Sequence, residues 1–242
     1  MSYNTFAKFY DTLTENVEYK KRVDYISSFF KRYAEKCDTV LDLACGTGSV
    51  SKYLSDLGYN VIGLDLSDEM LTVASSKQIK NVMFIKGNMT DFELPHKVDC
   101  CVCSLDSINH LKDIVEVKKC FDCVYNSLND GGVFVFDVNT VYKHKNVLGN
   151  NTFVFDEEDF FLSWDNEHLG NNTVRILLDF FVYNGKNYDR FSEEFNEKAY
   201  SVNELKSVLD NFNIIGIYDE LNLDDIKEDS ERIYFVLKKG DN

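Results

Sequence analysis

Residues 40–50 read VLDLACGTGSV and residues 61–70 read VIGLDLSDEM. The first is an apolar run that ends on an acid, Asp42, then breaks into small residues and two glycines, Gly46 and Gly48. That is a strand running into a turn tight enough for the backbone itself to touch a ligand. The second is another apolar run ending on an acid, Asp65, about 20 residues on, where a carboxylate accepts hydrogen bonds from ribose hydroxyls. Together they predict a nucleoside-bearing cofactor lying across the ends of two parallel strands.

The flanking sequence extends this into a sheet. Apolar runs at 39–43, 61–65, 82–86, 98–104 and 133–137 alternate with helical patterns at 48–57, 68–76 and 113–128. Ser67 is placed to cap the second of these helices, and Asn129-Asp130-Gly131-Gly132 to close the third. Such alternation predicts a Rossmann-like, doubly wound, mostly parallel sheet. Two further runs, 214–218 and 233–237, bring it to seven strands, with a helix over 203–212 capped by Ser201. Residues 5–34 carry helical spacing, with Tyr3, Phe6, Phe9, Tyr10 and Tyr19 crowded at the start. Past Asn139 the period changes. Residues 152–200 alternate as antiparallel strands split at Gly170-Asn171-Asn172 and at Asn184-Gly185, the second a strong hairpin signal. The expected organisation is an N-terminal helical lid (1–36), a Rossmann-like domain (37–140 and 201–242) and an antiparallel β insertion (141–200).

Composition removes several function classes. With 44% hydrophobic and 14% aromatic residues the chain can build a sizeable core. No apolar run approaches bilayer length, and the N-terminus lacks a signal-peptide pattern, so a cytoplasmic protein without a membrane partner is expected. A net charge of −15 disfavours nucleic acid, since the only basic runs are the short Lys20-Lys21-Arg22, Lys118-Lys119 and Lys238-Lys239. Cys100, Cys101 and Cys103 sit in the apolar run VDCCVC and read as small core residues. Cys120 and Cys123 lack the second pair a zinc site needs, so no metal is expected.

Three ligands compete for the glycine turn. A phosphate loop needs a lysine after the last glycine, and none follows Gly48. A dinucleotide fingerprint needs a third small residue, which Ser49–Ser51 supplies only loosely. Asp42 decides between them: a carboxylate beside the turn repels a pyrophosphate and suits a cation, such as a sulfonium carrying an amino-acid tail.

The motifs LDLACGTG, VIGLDLSDEML, FIKGNMTDF, VDCCVCSLDSINHL and LNDGGVFVFDVN occur in that order over residues 37–139. In this the chain resembles the class I S-adenosylmethionine-dependent methyltransferases. The N-terminal YNTFAKFYDTLTENVEY and the late β insertion resemble a narrower group of small bacterial enzymes acting on small molecules, the amino-sugar N-methyltransferases among them. The resemblance implies S-adenosylmethionine as cofactor and S-adenosylhomocysteine as product. It places Asp42, Ala44, Cys45, Gly46 and Gly48 along the methionine portion and Asp65 on the ribose. Leu66 and Met70 fall on the adenine faces, and Asn88 and the Met89 backbone on the adenine edge. Ser104 and Leu105 fall at the ammonium, and Tyr10 and Tyr19 in a lid. Asp106, Asn109 and His110 are the polar groups expected nearest the transferred methyl. Each has a plainer structural reading: a turn for the glycines, core packing for Met70, a structural bond for His110.

Methyl transfer needs alignment and water exclusion more than acid–base chemistry if the acceptor is an amine. The single proline, Pro95, excludes the Asn/Asp-Pro-Pro-Tyr and Pro-Cys motifs of nucleobase enzymes. A free small-molecule acceptor, methylated at N or O, is expected under the β insertion. That insertion brings Phe160, Phe161, Trp164, Phe180, Phe181 and Tyr183, with acids Asp179, Glu193, Glu194 and Glu197 to favour a cationic or amine-rich molecule. A cofactor-binding sensor or partner protein is the competing class, followed by an RNA or protein methyltransferase and a nicotinamide dehydrogenase. A monomer or a homodimer through the insertion is the expected assembly.

Overall fold

The computed structural model describes residues 4–158 and 160–240, so Tyr3 lies outside the described residues. Two sheets organise the chain. The larger has seven strands: β1 (Thr39–Leu43), β2 (Asn60–Asp65), β3 (Val82–Lys86), β4 (Val98–Cys103), β5 (Leu128–Asn139), β10 (Phe212–Asp219) and β11 (Arg232–Lys239). Their order is β10-β11-β5-β4-β1-β2-β3, and β11 alone is reversed, running antiparallel to both its neighbours, β10 and β5. Because β1 pairs with both β2 and β4, the chain reverses its winding there, and a crevice opens at the carboxyl ends of β1 and β4.

The reason for the central position of β4 is compositional. All six residues of VDCCVC are buried, which only a strand covered on both faces tolerates. One face packs on α2 (Tyr19–Tyr33) and α3 (Ser49–Asp56) through Val23, Ile26, Phe30 and Leu54. The other packs on α5 (Ile114–Ser127) and α6 (Val202–Lys206) through Val117, Phe121, Val124 and Leu205. Beyond β2, α4 (Asp68–Ser76) begins at Ser67, whose Oγ accepts from Met70 N at 3.1 Å, and α5 begins at Asp113, which accepts from Val115 N and Glu116 N.

The smaller sheet orders β6 (Thr152–Asp156), β7 (Phe160–Gly170), β8 (Thr173–Tyr183) and β9 (Tyr188–Lys198) consecutively, all antiparallel. Its inner face carries Phe160, Leu162, Leu178 and Phe180. Helix α1 (Asn4–Leu13) packs there through Phe6, Phe9 and Leu13.

Four expectations change. Residues 5–34 form two helices, broken at 14–18, because α1 packs on the small sheet while α2 packs on the large one. Asn129–Gly132 lies inside β5, where a register shift opposite Val98 and Cys100 absorbs it. The helix after Ser201 stops at Lys206 and continues as tighter turns, Val208 N to Leu205 O and Leu209 N to Lys206 O. A π-helical turn at Lys143–Leu148, unanticipated, leads from β5 to the small sheet.

Candidate active site

The turn after β1 is left-handed at Ala44, Gly46 and Gly48, with φ of 59°, 54° and 79°. The two glycines serve different ends. A Cβ on Gly48 would meet Phe84 Cζ at 2.7 Å, whereas one on Gly46 would meet nothing within 4 Å. Gly48 is therefore a packing glycine. Gly46 borders open space, where a ligand can approach its backbone. Cys45 N donates to Leu64 O at 3.0 Å and Gly46 N to Asp65 Oδ2 at 2.8 Å, so β2 fixes the turn.

Asp42 is 2% exposed and accepts the Ser51 hydroxyl at 2.5 Å. Burial pushes its pKa up to about 7, with Asp65 adding to the rise and Ser51 opposing it. The sequence argument takes Asp42 as a standing anion. The structure makes it a carboxyl poised at neutrality, which a cation beside it would ionise fully.

Three cavities meet at the ends of β1 and β4. The first, about 40 Å³, is bounded by Tyr19, Asp42, Cys45, Ser104 and the glycine turn. The second, about 530 Å³, runs along Asp65, Leu66, Met70, Asn88 and Met89. The third, about 380 Å³, lies under the small sheet against Trp164, Leu178, Asp106, Lys143, Glu197 and Arg232. Tyr10 and Leu105 border all three. Phe6, His110 and Phe195 join them in the wall between the second and third.

In the second cavity Asp65 holds Gly46 N with one oxygen and Ser67 N, at 2.9 Å, with the other. Leu66 is 63% exposed there, while Met70 is 8% exposed and mostly core. The Asn88 oxygen accepts both Thr90 N (3.0 Å) and Thr90 Oγ1 (2.9 Å). Its amide N–H groups, not its oxygen, are therefore left for a ligand.

Beyond β4, Leu105 and Asp106 are both left-handed, φ 58° and 53°. The buried Asp137 holds them: it accepts Ser104 Oγ (3.0 Å), Leu105 N (2.8 Å) and Asp106 N (3.0 Å), and it pairs with Arg232. Arg232 in turn pairs with Asp106 at 2.7 Å, and Asn139 Nδ2 donates to Asp106 at 2.9 Å. Burial alone would raise the Asp106 pKa, but Arg232 and Lys143 reverse this and hold it low. Asp106 faces the third cavity as a fixed anion.

Asn109 does not face a cavity. It is fully buried, donating to Asn139 O (3.1 Å) and Lys198 O (2.9 Å) and accepting Asn139 N (3.0 Å), so it ties β5 to β9. Its expected place beside the methyl is corrected on that ground; Gly48, expected along the methionine portion, is corrected because it packs against Phe84 instead. His110 does stand between the two larger cavities. Its side chain is 46% exposed at that wall, and partial desolvation lowers its pKa against the pull of Asp106 and Asp65.

The N-terminal helix is latched over the site. Asp11 accepts Thr47 Oγ1 (2.6 Å) and Ser49 Oγ (3.2 Å) and pairs with Lys77 (2.6 Å). The Tyr19 hydroxyl, bordering the first cavity, is buried with no partner. Of the four insertion acids only Glu197 reaches the third cavity. Asp179 pairs with Arg190 at 2.7 Å and Glu194 lies 3.9 Å from Arg175. Sequence reasoning missed Asp11, Asp137, Lys143, His144 and Arg232. Asp137 alone had a local signal, the acid-ended strand already used for Asp42 and Asp65.

The chain belongs to the S-adenosylmethionine-dependent methyltransferases. The family profile of the methyltransferase domain matches residues 40–132. The Bacillus subtilis (strain 168) protein YqeM, which carries the name of a methyltransferase, is 31% identical across 99% of this chain and 98% of its own. A crystal structure of an S-adenosylmethionine-dependent methyltransferase from Clostridium acetobutylicum ATCC 824 superposes with a TM-score of 0.89, at 36% identity over 99% of both chains. The dTDP-3-amino-3,6-dideoxy-α-D-glucopyranose N,N-dimethyltransferase of Streptomyces fradiae is 30% identical over 53% of this chain and 51% of its own. S-adenosylmethionine is thus the cofactor, and methyl transfer the reaction.

Proposed function

We propose that the protein methylates a small molecule, most readily at an amine nitrogen, with the cofactor in the first and second cavities and the acceptor in the third. The observation that carries this is the shared wall of Phe6, Tyr10, Leu105, His110 and Phe195. It sets two chambers of ligand size against one another with only side chains between.

The residues fit the cofactor. Asp42, the unpartnered Tyr19 hydroxyl and the open space beside Gly46 suit a methionine tail bearing an ammonium and a carboxylate. Ala44, Cys45, Ser104 and Leu105 complete that chamber. Asp65 retains lone pairs for ribose hydroxyls, Leu66 and Met70 offer apolar faces to adenine, and Asn88 and the Met89 backbone offer its edge N–H donors. The bound cofactor supplies a methyl carbon made electrophilic by its sulfonium. The chain's part is to align the acceptor, exclude water with α1, and turn the ring of Tyr10 to the reacting centre.

The third cavity pairs an apolar wall (Leu148, Phe155, Trp164, Leu178) with a polar end (Asp106, Lys143, Glu197, Arg232). A compact ring bearing hydroxyls and an amine matches both, and the Streptomyces fradiae relative is named for such a sugar. With a net charge of −15 a nucleic-acid acceptor is disfavoured. No helix among the described residues is long and apolar enough to cross a membrane. We place the protein in the cytoplasm, as a monomer or as a homodimer through the small sheet. Incubating it with methyl-labelled S-adenosylmethionine and the small-molecule fraction of a bacterial extract, beside the dTDP-amino sugar, should yield a labelled small metabolite. Label confined to protein or RNA, or none at all, would refute the acceptor class.

A further inference from the structure

Glu197, on β9, projects its carboxyl into the third cavity although it is 5% exposed and without a cation within salt-bridge distance, unlike Asp106 opposite. Its two oxygens face two imidazoles. Oε1 lies 3.8 Å from His110 Nε2, in the wall shared with the cofactor chamber. Oε2 lies 3.8 Å from Nε2 of His144, on the π-helical turn.

His144 is fully buried, and its ring has a fixed polarity. Nδ1 lies 3.0 Å from the carbonyl oxygen of Asn172, which can only accept, so the neutral ring carries its proton on Nδ1. Nε2 is left as a bare lone pair with no partner, one of four buried orphan polar atoms among the described residues, and it points at Glu197. An unpaired acceptor in the interior is costly unless a donor can reach it. A protonated Glu197 is that donor after a side-chain shift of about 1 Å, the kind of tightening catalytic contacts undergo when a substrate binds.

We propose that Glu197, with His144 behind it, is the proton acceptor for the group that becomes methylated. This rests on the third cavity being the acceptor chamber. In the transfer to an amine, the nitrogen lone pair forms the new C–N bond and the S–C bond breaks with its electron pair left on sulfur. The proton shed by nitrogen passes to an oxygen of the ionised Glu197, and the carboxyl so formed donates its hydrogen bond to His144 Nε2. Reactants and products balance as amine plus sulfonium giving methylamine, thioether and one proton.

The surroundings poise Glu197 for this. Burial and then Asp106 raise its pKa to about 8, against the pull of Arg232, Lys143 and Asn139. Burial lowers the pKa of both His110 and His144. Across the cavity stands Tyr10, whose own pKa burial raises. A carboxyl titrating near 8 is matched to an amine far better than an ordinary glutamate is.

The test uses the full chain with S-adenosylhomocysteine bound. Carbon-13 NMR should show a carboxyl titrating near pH 8 that is missing in Glu197→Gln, and nitrogen-15 NMR should show His144 as the Nδ1–H tautomer. With labelled S-adenosylmethionine and the metabolite extract, wild-type labelling should rise through about pH 8. Glu197→Gln should lose roughly 100-fold or more and that pH limb, with cofactor affinity by calorimetry unchanged, and Glu197→Asp should recover part of the rate. The proposal is overturned if Glu197→Gln labels as fast as wild type. It is equally overturned if the pH limb survives in that variant, or if Glu197 is ionised at neutral pH with the proton on His144 Nε2. A wild type that labels nothing removes the acceptor reading instead, and the carboxyl titration then decides for Glu197 alone.

Discussion

Asp137 Oδ1 accepts the backbone N–H of Leu105 at 2.8 Å, across the gap between the ends of β5 and β4. The bond explains why a leucine sits at φ 58° in the wall common to all three cavities. A left-handed residue with a branched side chain is held only where its surroundings overdetermine it, and such strain gathers at functional sites. The same carboxylate also takes Asp106 N and pairs with Arg232. One buried side chain thus shapes the wall common to the three cavities and anchors the cation that neutralises Asp106 in the third.

Asp137→Asn keeps an oxygen for Leu105 N but cannot balance Arg232. Removing one partner of a buried pair costs about 3–5 kcal/mol. Glu220 and Asp106 remain near Arg232 to soften the loss, so the lower part of that range is expected in denaturant unfolding. Turnover should fall further than the remaining folded fraction accounts for, because Leu105 and Asp106 lose their fixed positions. A variant that unfolds more easily yet turns over normally per folded molecule would show that the strained turn is only structural.

Asp42 carries a pH dependence whose sign can be worked out. Its folded pKa, about 7, lies above the unfolded value of about 3.9. Below the lower value both states are protonated and burial costs nothing. Between the two the unfolded chain ionises first, so this group's contribution to stability falls as pH rises and levels off above about 7. Asp42→Asn should therefore melt higher than wild type at neutral and alkaline pH, the gap closing toward acid. The anion is the form that binds an ammonium, so wild-type affinity for S-adenosylmethionine should rise about tenfold from a pH unit below the folded pKa to one above. Calorimetry on Asp42→Asn should find weaker binding without that slope.

What could be read from the sequence divides along contact distance. The turn at Gly46, the acid at Asp65 and the cap at Ser67 are local, each set by residues within a few positions, and the structure puts them where periodicity indicates. The hairpin at Asn184-Gly185 is local in the same sense, with Asn184 N bonded to Asn187 O. Asn109 was misread because polarity beside a motif says nothing of which way a side chain turns. Its partners, Asn139 and Lys198, arrive from strands 30 and 89 residues on. His144 had no legible role because the π-helical turn that carries it leaves no periodic trace and Glu197 comes from β9. Arg232 opens an edge-ward strand and meets Asp137 across 95 residues of sequence. The first two cavities are lined largely from consecutive turns, whose residues the sequence motifs pick out; the third is lined by side chains from many separate segments, which no local pattern connects.

Gly46 and Gly63 should separate binding from stability. A methyl at Gly63 would sit 2.6 Å from Phe84 Cδ1 and 3.0 Å from Cys45 Sγ. Gly63→Ala is therefore expected to cost about 1–3 kcal/mol by overpacking. Gly46→Ala meets no protein atom within 4 Å and carries only the left-handed penalty of about 1–2 kcal/mol. Its methyl would fill the space where the backbone meets the cofactor, so affinity should drop by roughly tenfold or more. Thermal melts and cofactor titrations on both variants would check the contrast. Equal loss of affinity in the two would mean that Gly46 does not face the ligand.

Asp11 ties α1 to the glycine turn, and if α1 acts as a lid, breaking the tie should act on cofactor exchange more than on folding. Its two oxygens hold Thr47 and Ser49 on one side and Lys77 on the other, and the Lys77 and Asp11 side chains are 24% and 41% exposed. A pair so open to solvent contributes up to about 1 kcal/mol. Helix α1 also keeps its apolar seat, with the Phe9 ring tilted 4.8 Å from Phe160 and stacked 6.0 Å from Phe180. Asp11→Ala should thus leave the melting temperature close to wild type. It should quicken release of S-adenosylhomocysteine in stopped-flow measurements and raise amide exchange over residues 4–13. If product release limits turnover, as lid opening often does, the variant turns over faster at saturating cofactor and poorer at low cofactor. Unchanged release with a large loss of stability would mean that Asp11 holds the fold together rather than the lid closed.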